Sequence, residues 1–188
     1  RLHYRRQRYG EAAELLGRHL DTDACAAEAL VLYGQTARAL DDARLARVLA
    51  QKALVRFPAD VRVRQLDLAV AVDEADGPAV RRAAWHLLRR DASDADLWRR
   101  LAWADRELGN ESGRAVALEA AVLCAPGELE HRRALFAAEL AAGNVRTVVT
   151  RGRALLDGPM AEAAAADVEL MDLLVRAADT AGADDELE

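Results

Sequence analysis

Apolar residues recur along the chain at intervals of three and four, the spacing that gathers them on one side of a helix. Leu30, Tyr33, Ala37 and Leu40 make one such stripe, and Leu45, Val48, Leu49 and Leu54 make another directly after it. Between them stands Asp41-Asp42, a turn-forming pair. Pro58 closes the second stretch, because proline cannot continue a helix and biases Phe57 away from helical geometry. The pattern predicts a helix, a turn and a helix between Ala27 and Asp60. A further stripe, Leu170, Leu173, Leu174, Ala177, Ala178 and Ala181, predicts a helical segment from Ala163, with Asp167, Asp172, Arg176 and Asp179 on its other faces.

The turn repeats at a constant interval. Gly109-Asn110 recurs as Gly143-Asn144, and equal steps backwards reach Ala75-Asp76 and then Asp41-Asp42. An ungapped frame follows: Ala27–Asp60, Val61–Asp94, Ala95–Glu128 and Leu129–Glu162, with a partial unit over 1–26. A last helical segment spans 163–181, and 182–188 read as a disordered acidic tail. The whole chain is expected to be one array. Gly77-Pro78 opens a second helix, with proline at an allowed first-turn position. The acidic stretches Asp21-Thr22-Asp23 and Asp91 to Asp96 fall between units and supply N-caps. Their spacing fits no EF-hand calcium loop.

Composition agrees with helices. Of 188 residues, 43 are alanine and 25 arginine, Lys52 is the single lysine, and aromatics number eight. β-branched and aromatic residues are scarce, which argues for an all-α protein and against a sandwich or barrel. No apolar run reaches the roughly 18 residues of a membrane-crossing helix. The formal net charge is -6. A nucleic-acid binder ordinarily carries a basic surplus, so nucleic acid is not the expected partner, RNA included. The basic start (Arg1, Arg5, Arg6, Arg8) and the acidic end read as solvated. The opening residue is Arg1 rather than Met, which suggests a piece of a longer protein.

These residues resemble the tetratricopeptide repeat (TPR), a helix-turn-helix of roughly 34 residues with small side chains where helices touch. Leu30, Tyr33, Gly34, Ala37, Ala46, Ala50, Ala53 and Pro58 stand where that family places its motif. Trp98, Leu101, Ala102, Gly109, Ala121 and Pro126 do so in a later unit, and Tyr9 and Ala12 in the partial first one. Arg114, Leu68 and Phe136 replace small residues, and Ala92 and Met160 replace the proline, so distorted helix spacing is expected there. The resemblance implies an α-solenoid, a right-handed superhelix of stacked pairs. Each pair buries its stripe only against its neighbours. The last segment is then a cap or the first helix of a further repeat.

Chemistry-bearing motifs are missing from the sequence. There is no GxxxxGK[ST], GxGxxG, HExxH or GxSxG. His3, His19, His86 and His131 never pair at metal-ligand spacing, so neither metal nor cofactor is expected. Cys25 and Cys124 read as separate packed thiols. The chain reads as non-enzymatic, and its compartment stays open between cytoplasm and periplasm.

The resemblance also implies where a partner sits. First helices line the concave side, and their inward band is Val31, Gln35, Arg38, Gln65, Ala69, Val72, Arg99, Trp103, Arg106, Arg133, Ala137 and Leu140. This band holds four arginines and no acid; Glu28, Asp96 and Glu130 are assigned to helix starts, where the macrodipole favours them. Arg99, Trp103 and Arg106 share one helix face. Two guanidinium forks beside an indole suit a carboxylate-bearing peptide, although Trp103 packed on a neighbour with solvated arginines is the plainer alternative. Trp98 reads as core and Trp85 as ambiguous. Gln35, Arg38, Gln65, Arg99, Trp103, Arg106 and Arg133 are thus the candidate partner-binding residues. The expected role is a protein-interaction module, monomeric or a weak homodimer. A scaffold or spacer acting through its convex face or ends is the alternative.

Overall fold

The computed structural model describes residues 9–17 and 26–185. Arg1, Arg5, Arg6, Arg8, His3, His19, Cys25 and the Asp21–Asp23 acids lie outside them. Eleven helices, and no strand, occur among the described residues: α1 (Tyr9–Gly17), α2 (Ala27–Ala39), α3 (Ala43–Arg56), α4 (Val61–Asp73), α5 (Gly77–Leu88), α6 (Ala95–Glu107), α7 (Glu111–Cys124), α8 (Leu129–Ala141), α9 (Val145–Leu156), α10 (Ala161–Ala166) and α11 (Val168–Asp185). α2, α4, α6 and α8 each begin one repeat after the last, and so do α3, α5, α7 and α9.

Each turn from a first helix to a second has the same construction. The Asp41, Ala75, Gly109 and Gly143 N–H groups donate to Arg38, Val72, Arg106 and Leu140 carbonyls, each at 3.0 Å. The next residue reaches one carbonyl further back: Asp42 to Ala37, Asp76 to Ala71, Asn110 to Asp105 and Asn144 to Glu139, at 2.8–3.0 Å. Those two bonds are the Schellman arrangement, which needs a left-handed residue at its apex. The four apices have φ of +58°, +53°, +68° and +79°. The following residue then caps the second helix in three cases: Asp42, Asp76 and Asn110 accept from Leu45, Ala79 and Gly113 N–H. One residue thus ends a helix and starts the next.

The chain divides into two compact units between Ala92 and Ser93. In the first, α2, α3 and α4 pack around Leu30, Leu49, Ala53 and Val63, each at most 2% exposed. A side chain at Gly34 would meet Leu66 Cδ2 at 2.6 Å, so glycine there lets α2 and α4 approach. α5 adds Val80 and Ala84, both fully buried.

The second unit buries Leu101, Leu135, Phe136, Val148 and Leu170. Phe136, expected to distort the spacing, lies in the core at 2% exposure, as Leu68 does at 5% in the first unit. Arg114 is half-buried and pairs with Glu111 at 3.1 Å. The helix expected from Ala163 is two helices. Asp167 adopts extended backbone between α10 and α11, and its carboxylate accepts from Leu170 N–H at 3.1 Å. α11 packs on α8 and α9 through Leu170, Leu174 and Ala177, while Ala178 is exposed. It continues to Asp185, so 182–185 are helical rather than part of a tail.

Candidate functional site

α6 is capped by Asp94, whose carboxylate accepts from Leu97 N–H at 3.1 Å. Its packed side carries Leu101, Ala102, Ala104 and Asp105. Asp105, 2% exposed, accepts from Asn110 Nδ2 at 3.0 Å, and Asn110 Oδ1 accepts from Gly113 N–H at 3.2 Å. The α6–α7 turn is thereby pinned from within. Arg99 and Trp103 are half-buried, and Arg106 is exposed. Their spacing of four and three places them along one helix face. Arg99 pairs with Glu130 on α8 at 2.5 Å. Arg106 makes no ion pair among the described residues.

Arg133 on α8 pairs with Glu169 on α11 and lies 3.6 Å from Asp167. With Glu130, Ala134, Ala137 and Leu173 it lines a cleft of about 670 Å³. In the first unit Arg38 holds Asp73 with two bonds, Nε to Oδ2 at 2.5 Å and Nη2 to Oδ1 at 3.0 Å. Gln35 and Arg38 share a cleft there with Asp73 and Glu74, whereas Gln65 is exposed on α4. The candidate residues therefore fall into two groups, one per unit.

Three of the four arginines of the expected acid-free band are matched by carboxylates. Arg38, Arg99 and Arg133 each reach a carboxylate on the following helix of the stack: α2 to α4, α6 to α8, and α8 to α11. Glu130, assigned from sequence to a helix start, is one of these partners. The three pairs differ in sequence offset from one another and from the repeat length, so the frame alone did not show them. All six side chains keep 30% or more of their exposure. Exposed pairs of this kind contribute about 0–1 kcal/mol each, so an incoming carboxylate can exchange with them at little cost.

Other charged groups are structural. Asp60 caps α4 by accepting from Arg62 N–H and pairs with the Arg62 side chain at 2.7 Å. Arg62 holds its carboxyl down at about 2. Arg151 bridges Glu119 and the buried Glu139, both at 2.6 Å. Burial pushes the Glu139 carboxyl up, against the pull of Arg151. His131 is buried, His86 and Trp85 are exposed, and Trp98 and Cys124 are half-buried. Among the described residues no group of three His, Cys, Asp or Glu is placed to hold a metal ion. No helix there is long and apolar enough to cross a membrane.

No protein-family model matches the chain, and no curated protein matches it. Solved structures do. MamA from Desulfovibrio magneticus RS-1, residue 41 to the end, has a TM-score of 0.71 at 17% identity, covering 82% of this chain and 88% of its own. A crystal structure of MamA covers 98% of this chain and 95% of its own at a TM-score of 0.67 and 14% identity. MamA of strain AMB-1 gives 0.68 at 19%, covering 75% of this chain and 77% of its own. The fold is that of the tetratricopeptide-repeat proteins. In TPR terms α2, α4, α6 and α8 are first helices, and Arg38, Arg99 and Arg133 stand on three of them. The last helix, α11, packs on the first helix before it, as α4 packs on α2.

Proposed function

We propose that this chain is a non-enzymatic protein-interaction module whose first helices take an extended or helical, carboxylate-bearing segment of a partner. The observation that carries the reading is the Arg99–Trp103–Arg106 face of α6. Arg106 is exposed, Arg99 is held only by an exchangeable pair, and the indole between them is half-buried. Guanidinium groups take carboxylates through two parallel bonds, and an indole adds apolar area at low entropic cost. Arg133 extends the same chemistry within that unit, and Gln35, Arg38 and Gln65 supply it separately on the first helices of the other. Neither a cofactor nor nucleic acid enters this role; the net charge of -6 sets itself against a polyanion.

The test is fluorescence anisotropy with a labelled Glu-Glu-Leu-Glu-Glu-Leu peptide. Arg99→Ala with Arg106→Ala is expected to weaken binding at least tenfold while far-UV circular dichroism stays unchanged. Equal affinity of wild type and double variant overturns the assignment.

A second reading, a scaffold or spacer acting through second-helix faces or chain ends, is favoured by exposed apolar pairs. Val48 and Val55 on α3 recur two repeats later as Val116 and Leu123 on α7, with exposures of 52%, 83%, 62% and 81%. Light scattering decides it: a mass that rises with concentration supports self-assembly, and a strict monomer counts against it.

A further inference from the structure

A cleft of about 740 Å³ in the second unit opens on a different side of α8 from Arg133. That volume is within the range of ligand sites. Its walls are largely apolar: Val122 and Leu123 from α7, Leu135 and Phe136 from α8, Leu155 from α9, and Met160 beyond it. Leu123 stands at the rim, 81% exposed. Two cations line this cleft. Arg151 is already held by Glu119 and Glu139. Arg132 has no acid. Its Nη2 donates to the Pro126 carbonyl at 3.2 Å, and its Nε is buried with no hydrogen-bond partner.

The first unit supplies an internal control. Arg64 and Pro58 stand two repeats before Arg132 and Pro126, and they make the same contact. There the bond to the Pro58 carbonyl comes from Nε, at 2.9 Å. In the second unit a terminal nitrogen makes the contact, and Nε is the group left over. A buried N–H without an acceptor is disfavoured, and a charged donor more so. That nitrogen is closed to an incoming atom, but the guanidinium it belongs to lines the cleft without an ion pair, and a carboxylate is its strongest acceptor, since charge-assisted bonds are the strong ones. Apolar walls beside one uncompensated guanidinium select a ligand that joins an apolar group to a carboxylate.

We propose that this cleft is a second docking site, independent of the α6 face. It takes a partner segment in which a large apolar side chain adjoins an aspartate or glutamate. The carboxylate meets the outer guanidinium nitrogens of Arg132, and the apolar side chain enters the cleft beside Phe136 and Leu155. Leu123 covers the next residue of the segment from the rim.

The experiment titrates the ¹⁵N-labelled chain with the acetylated, amidated peptide Leu-Leu-Asp-Leu-Leu, and with its asparagine counterpart. Saturable shifts are expected on α7, α8 and α9, together with the Arg132 Nε–H resonance. The asparagine peptide and Arg132→Gln are each expected to weaken binding at least tenfold. Leu123→Glu, at an exposed position that leaves the core intact, weakens it by repulsion. Arg99→Ala with Arg106→Ala leaves it unchanged. Absence of saturable shifts on these helices overturns the proposal. So does equal affinity for the two peptides, or loss of binding in the Arg99/Arg106 variant.

Discussion

Ala75→Gly is expected to stabilise the protein, although it removes a methyl group from a helical repeat. Ala75 is the apex of the second Schellman turn, with φ of +53°. Its side chain is exposed, so the substitution loses little packing. An L-residue in left-handed geometry costs about 1–2 kcal/mol. Against this, glycine raises the entropy of the unfolded chain by an equivalent of about 0.4–1 kcal/mol. The difference is a gain of about 0.5–1 kcal/mol. Gly109→Ala is the converse. A Cβ there would touch nothing within 4 Å, so packing does not obscure the backbone term. It is expected to lose about 0.5–1 kcal/mol. Asp41→Gly should gain less, because aspartate tolerates this geometry better than alanine. Urea unfolding followed by far-UV circular dichroism measures all three, with unchanged m-values showing that the denatured state is comparable. Destabilisation by Ala75→Gly, or a neutral Gly109→Ala, would refute the assignment of strain to the turn apex.

Leu170→Ala is expected to cost about 2–5 kcal/mol, because Leu170 is fully buried where α11 packs on the second unit; thermal unfolding reads it, and a loss below that range would mean that α11 is not packed there. Glu139→Gln keeps an acceptor for Arg151 and removes a carboxyl whose folded pKa lies above its unfolded value. The stability contribution of such a group is present below the unfolded pKa and lost as pH rises through the folded one, so the variant should gain on wild type as pH rises above the ordinary value of 4.5 in parallel urea titrations. Asp60 has the opposite sign: its folded pKa of about 2 lies below the ordinary 3.8, so its contribution is present above pH 4 and fades as pH falls towards 2. The stability difference between wild type and Asp60→Asn should shrink over that acid range.

Features governed by neighbours in sequence were legible without coordinates. Pro58 and Pro126 stop helices by removing a donor, and Asp94, within the Asp91 to Asp96 stretch, caps α6, because each acts on backbone within a few residues. The left-handed apices at Gly109 and Gly143 are announced by glycine, while the same geometry at Ala75 shows only through the repeat. What depended on distant partners was hidden. Arg99 and Glu130 meet because α6 and α8 lie side by side, at an offset no local pattern encodes. Phe136 fits because surrounding helices leave it room, although the repeat motif favours a small residue there. The break at Asp167 was masked by the alanines before it, which favour helix strongly, whereas tertiary packing of α11 fixes the extended residue. Arg132 gave no signal at all: its unpaired Nε is a property of how α8 meets the Pro126 turn.

The most direct measurement for the interaction role follows the Trp103 indole N–H by ¹H–¹⁵N spectroscopy while a Glu-Glu-Leu-Glu-Glu-Leu peptide is added. The expected result is a saturable shift of that resonance with the Arg99 and Arg106 amides, weakening as salt is raised. An indole signal that stays fixed through saturation, with shifts confined to α7 and α9, contradicts it.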